Sequence, residues 1–383
     1  DTMRVLLLSA NTGEGHNSPA KAVMGVLESR GVECTMADTL AFLSPGFSKF
    51  ICDWHVRLYR HGRKLFDLGY RFAEFTSNPD EFNPIYELLA LGAAKMRDWI
   101  REGDYDAILC SHAFAGVMVT EVRRSWGLEI PSYFVSTDYT CHPTVEQCDL
   151  DGYFISAKGQ IGEFTVAGIP EEKVIVSGIP VRQDFYTRGD KVSARQALEL
   201  PENATVVLLM CGSMGCGPIP VLTENLMSHL HEDAYVVAVC GSNESLYQHV
   251  SAIKDDRLRV LGFTDRISDY MDAADLIITK PGGLSSTEAA NKALPMVFVN
   301  FVGGCESRNF NFFLEKGYAV GSAAVKEAAQ IAADLAADGV RRQAMSQALA
   351  ENFTVNSGLF IADFLMDAAE KYRNKQKEAA GVL

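Results

Sequence analysis

The run Lys280-Pro281-Gly282-Gly283-Leu284-Ser285-Ser286-Thr287-Glu288 concentrates residue types that hold anions. It follows a strand-length apolar run, Asp275 to Thr279, and its proline and glycines punctuate as a turn before a helix. A strand, a glycine turn and a hydroxyl-rich helix start aim free backbone N–H groups and the positive end of the helix dipole at one spot. Ser285 and Glu288 stand three apart, so they also read as a capping box, which alone accounts for both. A further apolar run, Pro295 to Phe301, leads to Gly303-Gly304-Cys305-Glu306 and on to Asn309. Another, Val206 to Met210, leads to the glycine loop Gly212-Ser213-Met214-Gly215.

Acid–base chemistry has three candidates. His16 closes the loop Asn11-Thr12-Gly13-Glu14-Gly15-His16 after the apolar run Val5 to Ser9, at the strand edge where open α/β sheets bind ligands. A neutral imidazole there can take a proton from a hydroxyl nucleophile, and it can equally cap or pack the helix start. Asp138 and His142 follow the run Pro131 to Val135 and share the rim of His16 if the sheet is parallel. A zinc site is a weak reading of them, since no two have metal-ligand spacing on one helix. The first loop invites a dinucleotide reading with Asp38 as the ribose acid. Gly13 and Gly15 fit that fingerprint, but Ser18 stands where its third glycine belongs.

Apolar runs of strand length alternate with helical stretches through the whole chain, which places it in the α/β class. The alternation restarts after a polar stretch, Asp184 to Asp190, read as a linker. Helices are expected from about Ser18 to Ser29, Tyr86 to Ile100, Gln330 to Leu349 and Leu359 to Lys377. Thr39 to Asn83 is different. Phe47, Phe50, Trp54, Tyr59, Phe66, Tyr70, Phe72 and Phe75 are interleaved there with Lys49, Arg57, Arg60, Arg63, Lys64 and Arg71. Basic residues mixed with large apolar ones suit an interfacial helix on anionic lipid. A core helix with a solvated basic face has the same pattern.

With 383 residues and 48% apolar content, two globular domains are the natural division. The net charge of −14 is spread over both halves, which argues against bulk nucleic-acid binding. Nine cysteines at irregular spacing, with no CxxC pair, read as reduced thiols of a cytosolic protein. The short run Met3 to Leu8 does not read as a secretory segment, and no apolar stretch approaches the ~20 residues of a membrane helix. Any membrane contact is expected to be peripheral.

Taken together, Val260-Leu261-Gly262-Phe263, the run Asp275 to Glu288, and Glu306 with Asn309 resemble the donor-binding half of GT-B glycosyltransferases. The likeness is to the monogalactosyldiacylglycerol synthase and processive diacylglycerol glucosyltransferase group, relatives of MurG in glycosyltransferase family 28. It extends to Asn11 through Asn17, to Thr137-Asp138 with His142, and to Ser177 through Arg182. The resemblance implies two Rossmann-like domains facing across a cleft. Residues 1–184 would take the acceptor and 185–356 the donor, with a last helix from about 357 packing back on the first domain. It implies a donor such as UDP-glucose or UDP-galactose. Phe263 would border uracil, while Gly283, Leu284, Ser285, Ser286 and Thr287 receive the diphosphate with Lys280, Gly212, Ser213 and Gly215. Glu288 would bind ribose, and Glu306 the sugar hydroxyls beside Asn309. It also implies an acceptor such as diacylglycerol near Gly15 and His142, with Trp54, Arg57, Arg60, Arg63 and Lys64 on the inner face of the cell membrane. His16 or Asp138 would act as general base, without cofactor or metal, in an inverting transfer. Cys305 stands where that family usually has glutamine, which leaves the identity of the sugar open. The same fold with another acceptor, a sugar-nucleotide epimerase, and an inactive nucleotide-sugar sensor are the other readings.

Overall fold

The computed structural model describes residues 2–10, 14–44, 46, 49–50, 53, 84–211, 217–299, 301 and 303–381, without the side chains of 14–16, 84 and 85. The chain divides into unit 1, residues 1–182 with 355–383, and unit 2, residues 183–354. Unit 1 carries β1 (Arg4–Ser9), α1 (Glu14–Ser29), β2 (Glu33–Asp38), α2 (Pro84–Ala90), α3 (Ala93–Gly103), β3 (Ala107–Cys110), α4 (Ala113–Trp126), β4 (Ser132–Val135), β5 (Gly152–Ile155), α5 (Ile161–Val166) and β6 (Val174–Val176). Unit 2 carries α6 (Lys191–Ala197), β7 (Thr205–Met210), α7 (Ile219–His229), β8 (Ala234–Val239), α8 (Glu244–Ser251), β9 (Leu258–Leu261), α9 (Ile267–Ala273), β10 (Leu276–Thr279), α10 (Gly283–Asn291), β11 (Met296–Val299), α11 (Cys305–Glu315), β12 (Ala319–Ser322), α12 (Val325–Ala337) and α13 (Gly339–Asn352). The last helix, α14 (Ser357–Ala379), belongs to unit 1.

Each unit holds one six-stranded sheet. Sheet 1 runs β2-β1-β3-β4-β5-β6 and sheet 2 runs β9-β8-β7-β10-β11-β12. All recorded pairings are parallel, for example Val5 with Cys34 and with Ala107, and Ile277 with Met296. Parallel strands need helical crossovers on both faces, so their residues are apolar on both sides rather than alternating. Leu6 and Leu8 of β1 enter one core with Met96 of α3 and Val119 of α4. Val5 and Leu7 enter the other with Val23 and Leu27 of α1 and Ile361 and Leu365 of α14. Phe364 sets its ring edge-on to Tyr133 and Phe154, at 5.3 and 5.2 Å, which fixes α14 on β4 and β5. The start of α14 meets the loop after β6 closely. Gly178 lies there at φ +81°, and a Cβ on it would overlap Ser357 Oγ.

Several boundaries differ from those expected. α1 starts at Glu14, not Ser18, and carries Pro19 in its second turn. The missing proline N–H removes only the bond to the carbonyl four residues earlier. His16 is therefore in the first turn of a helix rather than in a loop. The stretch from Tyr86 breaks into α2 and α3 at Gly92, where a Cβ would meet Met118 Cε at 2.8 Å. The stretch from Gln330 breaks into α12 and α13 at Asp338, whose side chain accepts from Arg341 N at 3.0 Å. Residues 184–190 follow the division between the units and are mostly exposed, but they are anchored: Phe185 is fully buried and Ser268 Oγ donates to the Asp184 carbonyl at 3.0 Å.

The amino ends of β7 and β10 are locked by one buried network. Arg195 of α6 donates to the carbonyls of Ala273, Glu202 and Ala204 at 2.8–2.9 Å, and to Asp275 Oδ2 at 2.8 Å. Asp275 also accepts from Val206 N at 2.8 Å and Lys191 Nζ at 2.6 Å. Burial pushes the Asp275 carboxyl up, but the Lys191 bond and charge, Val206 N–H and Arg195 together hold it below the usual range. On acidification the unfolded chain takes this proton first. The contribution is thus complete above about pH 4 and is lost as pH falls through the lower native value. Asp275→Asn should destabilise the protein by roughly 3 kcal/mol at pH 7 and by progressively less below pH 4. Denaturant unfolding across that range measures it, and a difference independent of pH would remove the carboxylate charge from this role.

Candidate functional site

In sheet 2 the chain order reverses between β7 and β10, and ligands of open parallel sheets bind at the carboxyl ends of such strands. The loop after β10 is short. Lys280 is buried, and the Lys280 carbonyl accepts from Gly282 N at 2.9 Å. α10 then starts at Gly283 with Gly282 as its N-cap. That register decides between two readings of Ser285 and Glu288. A capping box needs a hydroxyl at the N-cap, and here the N-cap residue is a glycine without a side-chain cap bond. Ser285 is the third helical residue and Glu288 the sixth. The first-turn amides of α10 therefore have no side-chain cap among the described residues.

Gly282 is not demanded by its backbone. Its φ of −74° and ψ of 149° suit any residue, and a Cβ there would meet nothing within 4 Å. Two hydroxyls flank this turn, Thr279 Oγ1 and Ser286 Oγ, both buried and without a hydrogen-bond partner among the described residues. Buried hydroxyls of that kind call for water or a ligand. Thr287 Oγ1 instead donates to the Gly283 carbonyl at 2.7 Å, and Asn309 Nδ2 donates to the Pro281 carbonyl at 2.9 Å. Asn309 is fully buried, so it supports the turn from below.

The adjacent strand repeats the device. After β11, Gly304 is the N-cap of α11 at φ +74° and ψ −131°, a conformation that favours glycine. Cys305 is the first helical residue and half-buried, and Glu306 follows it, buried in the first turn. Because β10 and β11 are parallel neighbours, the two glycine-capped helix ends share one rim. Phe263 follows β9 at the carboxyl edge of the same sheet and is 74% exposed. Gly212, Ser213 and Gly215 lie outside the described residues.

In unit 1 the reversal falls between β1 and β3. Ser9 Oγ donates to Asn17 Oδ1 at 2.6 Å and ties the end of β1 to the start of α1. Gly15 and His16 sit in that first turn, with the His16 side chain outside the description. The Ser136–Pro143 loop after β4 is held by Glu163 of α5, which accepts from Thr140 Oγ1 at 2.8 Å and Cys141 N at 2.9 Å. Asp138 lies in this loop, half-buried, with its carbonyl accepting from Ser136 Oγ at 3.0 Å. His142 accepts from Thr144 N through Nδ1 at 3.2 Å. The structure adds His112, which sequence reasoning did not single out. It caps α4 by accepting from Phe114 N at 3.0 Å, and its ring centre lies 6.1 Å from that of His142. The signal was present in the order strand, Ser111-His112, helix. Asp38 accepts from Leu40 N at 3.1 Å and so caps a short turn. Trp54, Arg57, Arg60, Arg63 and Lys64, with most of the aromatic and basic stretch, lie outside the described residues. Among those described, no group of three or more His, Cys, Asp or Glu could hold a metal ion.

The monogalactosyldiacylglycerol (MGDG) synthase family model matches residues 16–181, and the glycosyltransferase family 28 C-terminal domain matches residues 206–337. The processive diacylglycerol beta-glucosyltransferase of Bacillus subtilis (strain 168) is 28% identical over 379 residues, which is 98% of this chain and 97% of that one. The protein of the same name from Bacillus pumilus (strain SAFR-032) is 29% identical over 322 residues, 83% and 82% of the two chains. Among solved structures, Acinetobacter baumannii MurG aligns with a TM-score of 0.67 over 95% of this chain and 99% of its own, at 15% identity. The UDP-GlcNAc 2-epimerase from Neisseria meningitidis bound to UDP-GlcNAc aligns at 0.60 over 95% and 100%, at 12% identity. The fold is therefore GT-B, and transferases share it with an epimerase.

The open end of α10 makes a specific demand. A carboxylate at position 282 would cap the helix. Gly282→Asp should stabilise the protein by a few tenths of a kcal/mol to about 1 kcal/mol. Denaturant unfolding of the two proteins measures it, and an unchanged stability would show that the end of α10 is already satisfied.

Proposed function

We propose that the chain, a glycosyltransferase of the monogalactosyldiacylglycerol synthase and family 28 group, moves glucose or galactose from a UDP-sugar to diacylglycerol or a glycolipid. The observation that carries the donor half is the α10 end, where, among the described residues, the first-turn amides have no side-chain cap and two buried hydroxyls have no partner, in the turn that Lys280 opens. A nucleoside diphosphate is the ligand whose charge such an end complements. Relatives matched over almost the whole chain carry the name processive diacylglycerol beta-glucosyltransferase, which supports the acceptor half.

In this reading Gly283 to Thr287, with Gly212, Ser213 and Gly215, receive the diphosphate. Phe263 borders the uracil, Glu288 takes the ribose hydroxyls, and Glu306 those of the sugar, while Asn309 holds the turn. The acceptor oxygen attacks the anomeric carbon from the face opposite the diphosphate. The bond from that carbon to the phosphate oxygen breaks, UDP leaves with the electron pair, and the configuration inverts. The acceptor proton passes to His16 or to Asp138, a transfer worth roughly 10²–10⁴-fold in rate. Negative charge growing on the leaving phosphate meets the α10 amides and Lys280, so the step as drawn takes no metal. No described helix is long and apolar enough to cross a membrane. The protein reaches its acceptor peripherally, with the basic and aromatic stretch from Phe47 to Phe75 against anionic lipid on the inner face of the cell membrane.

The deciding experiment incubates the protein with diacylglycerol liposomes and a panel of nucleotide sugars, reading products by mass spectrometry. A hexosyl-diacylglycerol formed from UDP-glucose or UDP-galactose is expected, and epimerised nucleotide sugar without lipid product would overturn the reading. His16→Ala should lose at least about 10²-fold in turnover and keep its UDP affinity. A variant with normal rate would transfer the base role to Asp138.

A further inference from the structure

α10 has two ends, and only one faces the proposed donor. At the other end Lys292 is the C-cap residue. Its side chain is 1% exposed. The ammonium has three donors, and three acceptors receive them: the Thr187 carbonyl at 2.7 Å and the two oxygens of Asp272 at 3.0 and 3.1 Å. Arg188 Nε donates to the Asn291 carbonyl at 3.0 Å, in the last turn of the same helix. Gly189 completes the seat, since a Cβ there would lie 2.7 Å from Asp272 Oδ2. Two cations thus stand at the negative end of the α10 dipole, tied to residues 187–189 and to Asp272 of α9.

Stability alone does not account for this arrangement. A buried ion pair costs desolvation energy, and a well-packed apolar pair of similar volume often serves as well or better. What the ion pair supplies is direction, because each contact fixes where the helix end lies. α10 is about 13 Å long, so a tilt at its anchored end moves the amides at its open end. A misplacement of about 1 Å is enough to weaken electrostatic complementarity severely.

We propose that Lys292, with Asp272 and the backbone of residues 187–189, is a positioning device that aims the amides of α10 at the donor diphosphate. It rests on the reading of α10 as the donor-phosphate helix. Lys292 does not touch the ligand in this role. It acts through the helix axis, and its removal is expected to change affinity more than folding.

The test uses the full chain, with UDP as the probe, and measures binding by calorimetry alongside the thermal unfolding temperature. The parent protein is measured first. Absence of UDP binding there would sink the donor reading and this inference together. With the parent binding UDP, the double variant Lys292→Met with Asp272→Leu should unfold at or above the parent temperature and bind UDP about tenfold more weakly. Parent-like affinity in that folded variant would overturn the positioning role and leave the donor reading intact. If the double variant does not fold, Gly189→Ala, which displaces the Asp272 carboxylate, serves instead. Weakened UDP binding in a folded Gly189→Ala protein supports the device, and unchanged binding overturns it.

Discussion

A helix that starts on a glycine without a side-chain cap has an electrostatic debt at its N-terminus, and α10 is built around that deficit. Gly282 could be a serine or aspartate without backbone strain or collision, and either would cap the helix better. The surrounding structure supports the turn rather than closing it. Asn309 holds the Pro281 carbonyl, Thr287 satisfies its own hydroxyl within the helix, and Ser286 and Thr279 leave theirs without a partner among the described residues. The Arg195–Asp275 network stands behind this, fixing the amino ends of β7 and β10 so that their carboxyl ends carry the rim.

Much of this was legible in the residue order. The doubly wound alternation is plain because parallel strands buried on both faces read as unbroken apolar runs, such as Val206 to Met210. The turn between β10 and α10 was legible from its glycines and hydroxyls. Its register was not, because Ser285 and Glu288 fit a capping box as well as an open end, and only the position of the N-cap separates them. α11 went unread although Glu306, Asn309 and Phe313 form its buried face at spacings of three and four. A polar side chain buried inside a helix breaks the apolar period by which helices are found. β12, whose four residues include Gly321 and Ser322, lacks the unbroken apolar run of a strand such as β7. The polar segment 184–190 looked like a linker because composition does not reveal that its backbone carbonyls accept from Lys292 and Ser268.

Sequence and fold contribute differently to the function. GT-B architecture is common to transferases and an epimerase, so the fold by itself does not set the reaction. The two family models, matched in succession along the chain, identify it as a glycosyltransferase. Cys305 is where this chain departs from the glycosyltransferase pattern it resembles. A thiol at the first position of α11 can offer neither the amide donor nor the amide acceptor of a glutamine.

The return of α14 to unit 1 has a consequence for biosynthesis. One face of sheet 1 is covered by α1 together with Ile361, Phe364 and Leu365 of α14, and the close approach of Gly178 to Ser357 seats the start of that helix. A ribosome delivers these residues only after all of unit 2 has emerged. Unit 2 can therefore condense before unit 1 is complete, whereas unit 1 waits with the part of its sheet face that α14 covers still bare, a window in which the nascent chain is exposed to chaperones and aggregation.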